Sequence, residues 1–203
     1  MPVLADARPA TTTADRVLDA TERLLARFGY DKTTVDDIAR EAGVSKRTIY
    51  LHFAGKEAVA LASIDRVVGR VTDRLRELAA TDASPADRVQ DMLVARILGR
   101  FDSVRSYFQS LEDMFRSLRP AYLARRQRYF DAEAEVLAGV LDEGRRSKTF
   151  HLADPLAAAH DLLVATNGLL PYSLSPAEFG RRAEVAARAD RIARLLVEGL
   201  KRR

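Results

Sequence analysis

The 203-residue sequence contains no cysteine, no tryptophan and only three histidines. Without thiols there are no disulfides, zinc knuckles or thiol nucleophiles, which suits a reducing cytoplasm. His52, His151 and His160 are scattered at spacings that no metal site uses, and no phosphate-binding glycine loop is present. No metal and no cofactor are therefore expected, and an all-α enzyme is the weakest of the functional alternatives. No apolar stretch approaches the roughly 20 residues that span a bilayer, so no membrane partner is expected. The opening MPVLADARPATTTA has no basic segment followed by an apolar run, which gives the expectation that the chain is not secreted. Charge of a single sign is also missing. The 33 basic and 29 acidic side chains leave a net charge of only +4, too little for global charge to argue for nucleic acid. β-branched runs are few, while Ala, Leu, Arg, Glu and Asp dominate, and that favours helices.

What is present is helical patterning with well-placed caps. Val17, Leu18, Leu24, Leu25 and Phe28 recur at helical spacing between Thr13 and Phe28, with Ala20 and Thr21 between them. Gly29 follows as a C-terminal cap residue would. Thr34 opens a second helix, with Asp37 three residues on in a variant of the capping box. Val35, Ile38, Ala39 and Ala42 form its buried stripe. Gly43 supplies the positive φ that a sharp interhelical turn often demands, and Ser45 caps a third helix. On that helix Ile49 and Phe53 point into a small core. Arg47 and Leu51 point the opposite way with Thr48 beside them, while Lys46 and Tyr50 form a flank. From Val44 to Lys56 the chain carries Lys46, Arg47 and Lys56 and no carboxylate. This is the pattern of a helix placed in a DNA groove.

Beyond Gly55 a helical run from Lys56 to about Ala80 would be ~36 Å long at ~1.5 Å per residue, enough to enter a second domain. Further helical patterns cover 85–102, 104–118 and 120–146, with Pro120 as a boundary. A loop follows over 147–153, then a helix from Asp154 or Pro155 to about Leu170. Pro171 to Pro176 break the pattern before a last helix from Ala177 or Arg182 to Leu200. The fold class is all-α. Residues 1–12 read as a flexible tail, in which Arg8 is either a minor-groove arm or part of a plain disordered terminus. Residues 13–56 read as a helix-turn-helix DNA-binding domain and 57–203 as a larger helical domain.

Gly29-Tyr30, Thr33-Thr34-Val35, Ile38-Ala39, Ala42-Gly43-Val44-Ser45, Thr48-Ile49-Tyr50, His52-Phe53 and Lys56-Glu57 together make the segment similar to the DNA-binding domain of the TetR family of one-component transcriptional regulators. The resemblance covers about the first quarter of the chain. It implies a homodimer acting on double-stranded DNA, and a C-terminal ligand-binding and dimerisation domain whose last two helices build a four-helix bundle across the dimer. Repression by family habit and release by a small-molecule effector follow from the same likeness. Arg47 and Leu51 depart from the common family pattern, which bears on which operator is read.

Affinity for DNA comes mainly from phosphates and specificity from base edges. Lys46, Tyr50, His52 and Lys56 are assigned to phosphates, Lys56 lying beside a helix N-terminus that already favours an anion. Thr33, Thr34 and Ser45 offer hydroxyl and amide groups. Arg47 matches the guanine O6 and N7 acceptors, Thr48 a base or a thymine methyl, and Leu51 the latter. Plainer readings stand beside these. Tyr50 covers the small core, His52 hydrogen-bonds backbone, or Arg47 meets a phosphate.

For the larger domain, the resemblance places a largely apolar effector among middle-helix aromatic and methionine side chains: Met92, Phe101, Phe108, Met114, Tyr122 and Phe130, with Asn167 as a polar anchor. Ordinary core packing and a buried hydrogen bond are the alternatives. Ala159, Leu163, Ala189, Ile192, Leu196 and Leu200 are the dimer-interface candidates, against packing within one subunit. Apart from a repressor, the alternatives are an activator or architectural factor without a ligand, or the all-α enzyme.

Overall fold

The structure, a computed structural model, describes residues 12–201. Nine α-helices are present among them: α1 (Thr13–Lys32), α2 (Val35–Ala42), α3 (Lys46–His52), α4 (Lys56–Ala79), α5 (Pro85–Val104), α6 (Leu111–Arg146), α7 (Pro155–Ala165), α8 (Pro176–Phe179) and α9 (Arg182–Leu200). Short 3-10 segments occupy Arg105–Ser110, Asn167–Leu169 and Pro171–Ser173. The only strand-like pairing among the described residues is an isolated bridge between Phe150 and Lys201. The tail expected over residues 1–12, with Arg8, lies outside the described residues except for Thr12. That residue is a helix cap, sharing reciprocal hydrogen bonds with Asp15.

Local chemistry sets most of the boundaries. Gly29 adopts φ 80° and interrupts α1, which resumes for one further turn to Lys32. Thr34 and Asp37 form a full capping box on α2. Gly43 ends α2 in the left-handed region at φ 64°. A Cβ there would also meet Arg16 Nη2 at 3.2 Å. Ser45, Ser84 and Asp154 accept backbone N–H bonds at the starts of α3, α5 and α7.

Two boundaries differ from the sequence reading. Pro120 does not divide the chain; α6 runs through it for 36 residues. Proline in a helix interior forfeits one backbone bond and costs ~3 kcal/mol or more. Here Leu111, Met114, Leu118, Tyr129, Phe130, Ala134 and Leu137 are buried on both sides of it, so tertiary packing holds the axis. α7 ends at Ala165 and not near Leu170. The buried Thr166 hydroxyl bonds back to Leu162 O and Leu163 O, and the chain turns there.

Four apolar clusters organise the molecule. Under the first three helices lie Val17, Leu18, Leu24, Ile38, Ile49 and Val59. A second cluster joins Leu25 and Tyr30 of α1 and Ala60 and Leu61 of α4 to Tyr107, Leu111, Met114 and Leu118. The largest packs α5, α6, α7 and α9 together around Met92, Leu93, Leu137, Leu141, Leu163 and Ala193. The fourth holds Phe101, Leu170, Phe179 and Ala189. Polar ties reinforce the junction of α1, α4 and α6. Arg66 on α4 donates to Asp19 and Glu22 at 2.7 Å each, and Arg125 on α6 reaches Asp65 at 2.5 Å.

Three of the six interface candidates need correction. Ala159, Leu163 and Ala189 are fully buried inside the subunit, where α7 and α9 meet its own core. Ile192, Leu196 and Leu200 are half-buried. The apolar side chains that α7 and α9 do present outward are Leu156, Val164 and Leu195, the last 72% exposed. Helical periodicity identified the apolar stripe but not how broad it is.

Candidate nucleic-acid interface and effector cavity

The α2–turn–α3 unit is built so that one face is spent on packing and the other is free. Ile49 is fully buried, and burial of such a side chain is worth ~1.5–3 kcal/mol. Arg16 Nη2 donates to Ala42 O at 2.8 Å and Gly43 O at 3.3 Å, satisfying carbonyls at the end of α2. Sequence reasoning gave Arg16 no role, although an arginine one turn into α1 is placed to reach across to that turn.

On the outward face Arg47 is exposed and has no partner among the described residues. Leu51 is 74% exposed and Tyr50 52%, so the tyrosine ring does not close the small core. His52 is exposed, its ring tilted beside Phe53 at 6.2 Å, with no backbone bond to explain it. Lys46 pairs with Asp36 at 2.9 Å, and that hydrogen bond lifts the lysine above its ordinary value. Ser45 Oγ accepts Thr48 N–H at 3.0 Å and lies 2.8 Å from the Thr48 hydroxyl. Both hydroxyls are thus partly committed to the cap.

Three assignments change. Thr33 is buried, with its hydroxyl donating to Gly29 O at 2.7 Å, and its side chain cannot reach DNA. The Thr34 hydroxyl is held by Asp37, whose carboxyl it draws below the usual range, leaving backbone groups as what this corner offers. Lys56 is half-buried; Nζ donates to Tyr30 O at 3.1 Å and sits 4.3 Å from the Tyr30 ring centroid. Lys56 therefore fastens α4 to α1, with further N–H groups left over for an anion. Beside it, Gly55 has φ 153°, open space where a Cβ would stand, and no side chain capping α4. Among the described residues no side chain claims the first amide N–H groups of α4, which lie at the positive end of a 24-residue helix dipole.

The larger domain contains a small cavity of about 60 Å³ that adjoins a larger cleft of about 940 Å³. Ile64, Val67 and Val68 of α4 and Tyr107 and Met114 wall the cavity, and Leu111, Phe115, Tyr122, Pro171 and Tyr172 belong to both spaces. Burial pushes the Tyr107 hydroxyl up to about 12. Of the effector candidates, Met114 and Tyr122 line the cavity, and Phe108 and Tyr122 the cleft. Met92, Phe101 and Phe130 do not. They lie in closed core, Phe101 stacked on Phe179 at 4.1 Å and Phe130 under the guanidinium groups of Arg96 and Arg126. Asn167 is no free anchor, because its Oδ1 accepts from Arg96 at 3.1 Å.

A buried ionic group was missed in sequence. Arg96 and Glu133 are both fully buried, joined at 2.8 Å, and Arg100 donates to the other Glu133 oxygen at 2.5 Å. Arg96 also donates to Leu163 O and Thr166 Oγ1, and burial pushes it below its ordinary value. The signal was present. Arg88, Met92, Arg96 and Arg100 recur every four residues, so the arginines share a helix face with core side chains.

Known proteins resemble the chain in sequence and in fold. Residues 17–62 match the profile described as bacterial regulatory proteins, tetR family. The HTH-type transcriptional regulator EthR of Mycobacterium tuberculosis is 40% identical over 82 residues, which span 40% of this chain and 37% of EthR. The fatty acid metabolism regulator protein of Bacillus subtilis is 26% identical over 136 residues, spanning 65% of this chain and 68% of that protein. Matches to other curated relatives cover as little as 32% of their length. The crystal structure of a TetR/AcrR-family regulator from Thermobifida fusca superposes with a TM-score of 0.65 at 28% identity, over 93% of this chain and 98% of its own. Residues 17–62 therefore carry the DNA-binding domain of the tetR family of bacterial regulatory proteins, and the all-helical chain around it has the fold of a TetR/AcrR-family regulator.

Proposed function

We propose that the protein is a cytoplasmic, ligand-responsive transcriptional repressor that binds a near-palindromic operator as a homodimer and is released by a small-molecule inducer. The observation that carries this reading is a shared wall. Tyr107, Leu111 and Met114 face the cavity and also belong to the cluster that packs Leu25 and Tyr30 of the DNA-binding region. α4 runs along the same cavity through Ile64, Val67 and Val68, while its first turn holds Tyr30 through Lys56. A ligand that spreads this wall moves α1 and the base of α4. The two α3 helices of a dimer then lose the ~34–36 Å spacing of successive major-groove faces. Coupling is reciprocal, so operator DNA weakens inducer binding by the same factor.

In this reading Arg47, Thr48 and Leu51 meet base edges. Lys46, Tyr50, His52, Lys56 and the α4 N-terminus meet phosphates. The dimer face is the outward side of α7 and α9 around Leu156, Val164 and Leu195, with residues 13–56 as the DNA-binding unit and 57–203 as the effector and dimerisation unit. Selection of bound sequences from random DNA, followed by footprinting, is expected to give a two-fold symmetric protected site. Equal affinity for selected and random DNA would sink the regulator reading. Sedimentation at micromolar concentration is expected to give a dimer, and a clean monomer would overturn the assembly.

A further inference from the structure

The charge in the effector region does not balance. Arg96, Arg100 and Glu133 are each at least nine-tenths buried, two cations against one carboxylate. Arg96 also balances Glu133, and three of its four remaining N–H groups are occupied by Leu163 O, Thr166 Oγ1 and Asn167 Oδ1. Arg100 is different. Its Nη2 holds Glu133, its buried Nε has no acceptor, its Nη1 has none among the described residues, and it lines the cavity. Tyr122 and Tyr172 line the same cavity, with rings 6.5 Å apart, and neither phenol has a hydrogen-bond partner among the described residues. A guanidinium and two phenols thus line one cavity, and no described acidic side chain lines either the cavity or the cleft. Arg119 and Arg126 add further positive charge along the cleft.

We propose that the inducer is an amphipathic carboxylate whose head enters the small cavity to meet Arg100, Tyr122 and Tyr172, its apolar body lying in the cleft against Phe108, Phe115 and Leu174. This rests on the inducer-cavity reading above and names the ligand's chemistry. The sizes agree with it. A cavity of about 60 Å³ takes a head of a few atoms, and the cleft of about 940 Å³ takes the body. The energetics agree as well. An incompletely paired buried cation is costly, and a carboxylate both neutralises it and accepts its free N–H groups. An ester or alcohol of equal length supplies the apolar contacts but not the charge.

The test uses the full-length dimer and octanoate, dodecanoate and hexadecanoate below their micellar concentrations, with the matching methyl esters. Binding is read by calorimetry without DNA, and release of the selected operator by fluorescence anisotropy. At least one acid is expected to bind and release operator at roughly tenfold lower concentration than its ester, the scale of a hydrogen bond to a charged group. Arg100→Met is expected to abolish that preference while folding and operator affinity persist, because Arg96 still balances Glu133. Tyr172→Phe, on a half-exposed turn, is expected to reduce the preference severalfold with no change in melting temperature. Acid and ester acting alike, none of the three acids binding, or an Arg100→Met variant that keeps its preference would each overturn the proposal. Absence of a selected operator would instead overturn the regulator reading, and calorimetry would still decide the ligand chemistry.

Discussion

The two halves of the molecule bury different things. Beneath the helix-turn-helix Val17, Ile38, Ile49 and Val59 are at zero exposure, the buried polar side chains Thr21 and Thr33 bond back to nearby backbone carbonyls, and no charged side chain is buried there among the described residues. In the larger domain, fully buried Arg96 and Glu133 sit among leucines and phenylalanines, with Arg100 at the edge of a cavity. A DNA-reading unit has to hold three short helices in one arrangement, which apolar packing with good caps does cheaply. On the proposed function, the larger domain leaves space and unsatisfied polar groups inside it that a ligand would complete.

The contrast is open to mutation. The largest effect is expected from Glu133→Ala, which strands two buried guanidinium groups. Breaking a buried pair costs ~3–5 kcal/mol, read as a fall in the denaturation midpoint. A loss below ~1 kcal/mol would mean that water reaches the group and that the two cores differ less than the geometry says. Next is Ile49→Ala, expected to cost ~2–5 kcal/mol by cavity formation in the small core. It should weaken operator binding while leaving ligand binding in the larger domain intact by calorimetry. Loss of both would show that the halves do not act as separate packing units.

A smaller effect, on binding alone, is expected at the surface. Arg47→Ala should cost ~1–3 kcal/mol of operator affinity and relax the preference at one base pair, with melting unchanged. Retention of full discrimination would assign Arg47 to a phosphate. The smallest effect concerns Glu178, whose carboxyl is held at about 2, chiefly by the Ser175 backbone and side chain and then by Arg188. A carboxyl lowered in the folded state contributes stability in full above its ordinary value of 4.5 and loses it as the pH falls towards about 2. Glu178→Gln should therefore melt slightly lower than the parent near neutrality and match it near pH 2. A difference independent of pH would remove the carboxylate from that account.

Legibility followed the range of the forces involved. The caps at Thr34 and Ser45, the turn at Gly43 and the division of α3 into an Ile49 side and an Arg47 side were all readable, because each depends on residues within four positions. Lys56 was placed at the right corner, but its bond to Tyr30 O, 26 residues away, was invisible in the local pattern. Pro120 misled for the same reason. Its cost is local, whereas the packing that overrides it comes from other helices. Met92, Phe101 and Phe130 are indistinguishable from Met114 and Tyr122 by helical spacing, and only the positions of neighbouring helices make some of them core and others cavity wall.

By itself, then, the sequence determined an all-α chain with a DNA-reading helix-turn-helix at its N-terminal end. Helix period, capping and glycine conformation are short-range properties written in consecutive residues. Tertiary structure alone decided where the apolar surface closes and where it stays open. It also decided that Arg96 and Arg100 both hold Glu133 while only Arg100 lines a cavity, and that α1, α4 and α6 share one wall. Those outcomes depend on how helices distant in sequence fill space against each other, and burial turns small differences in that filling into the difference between a satisfied charge and a binding site.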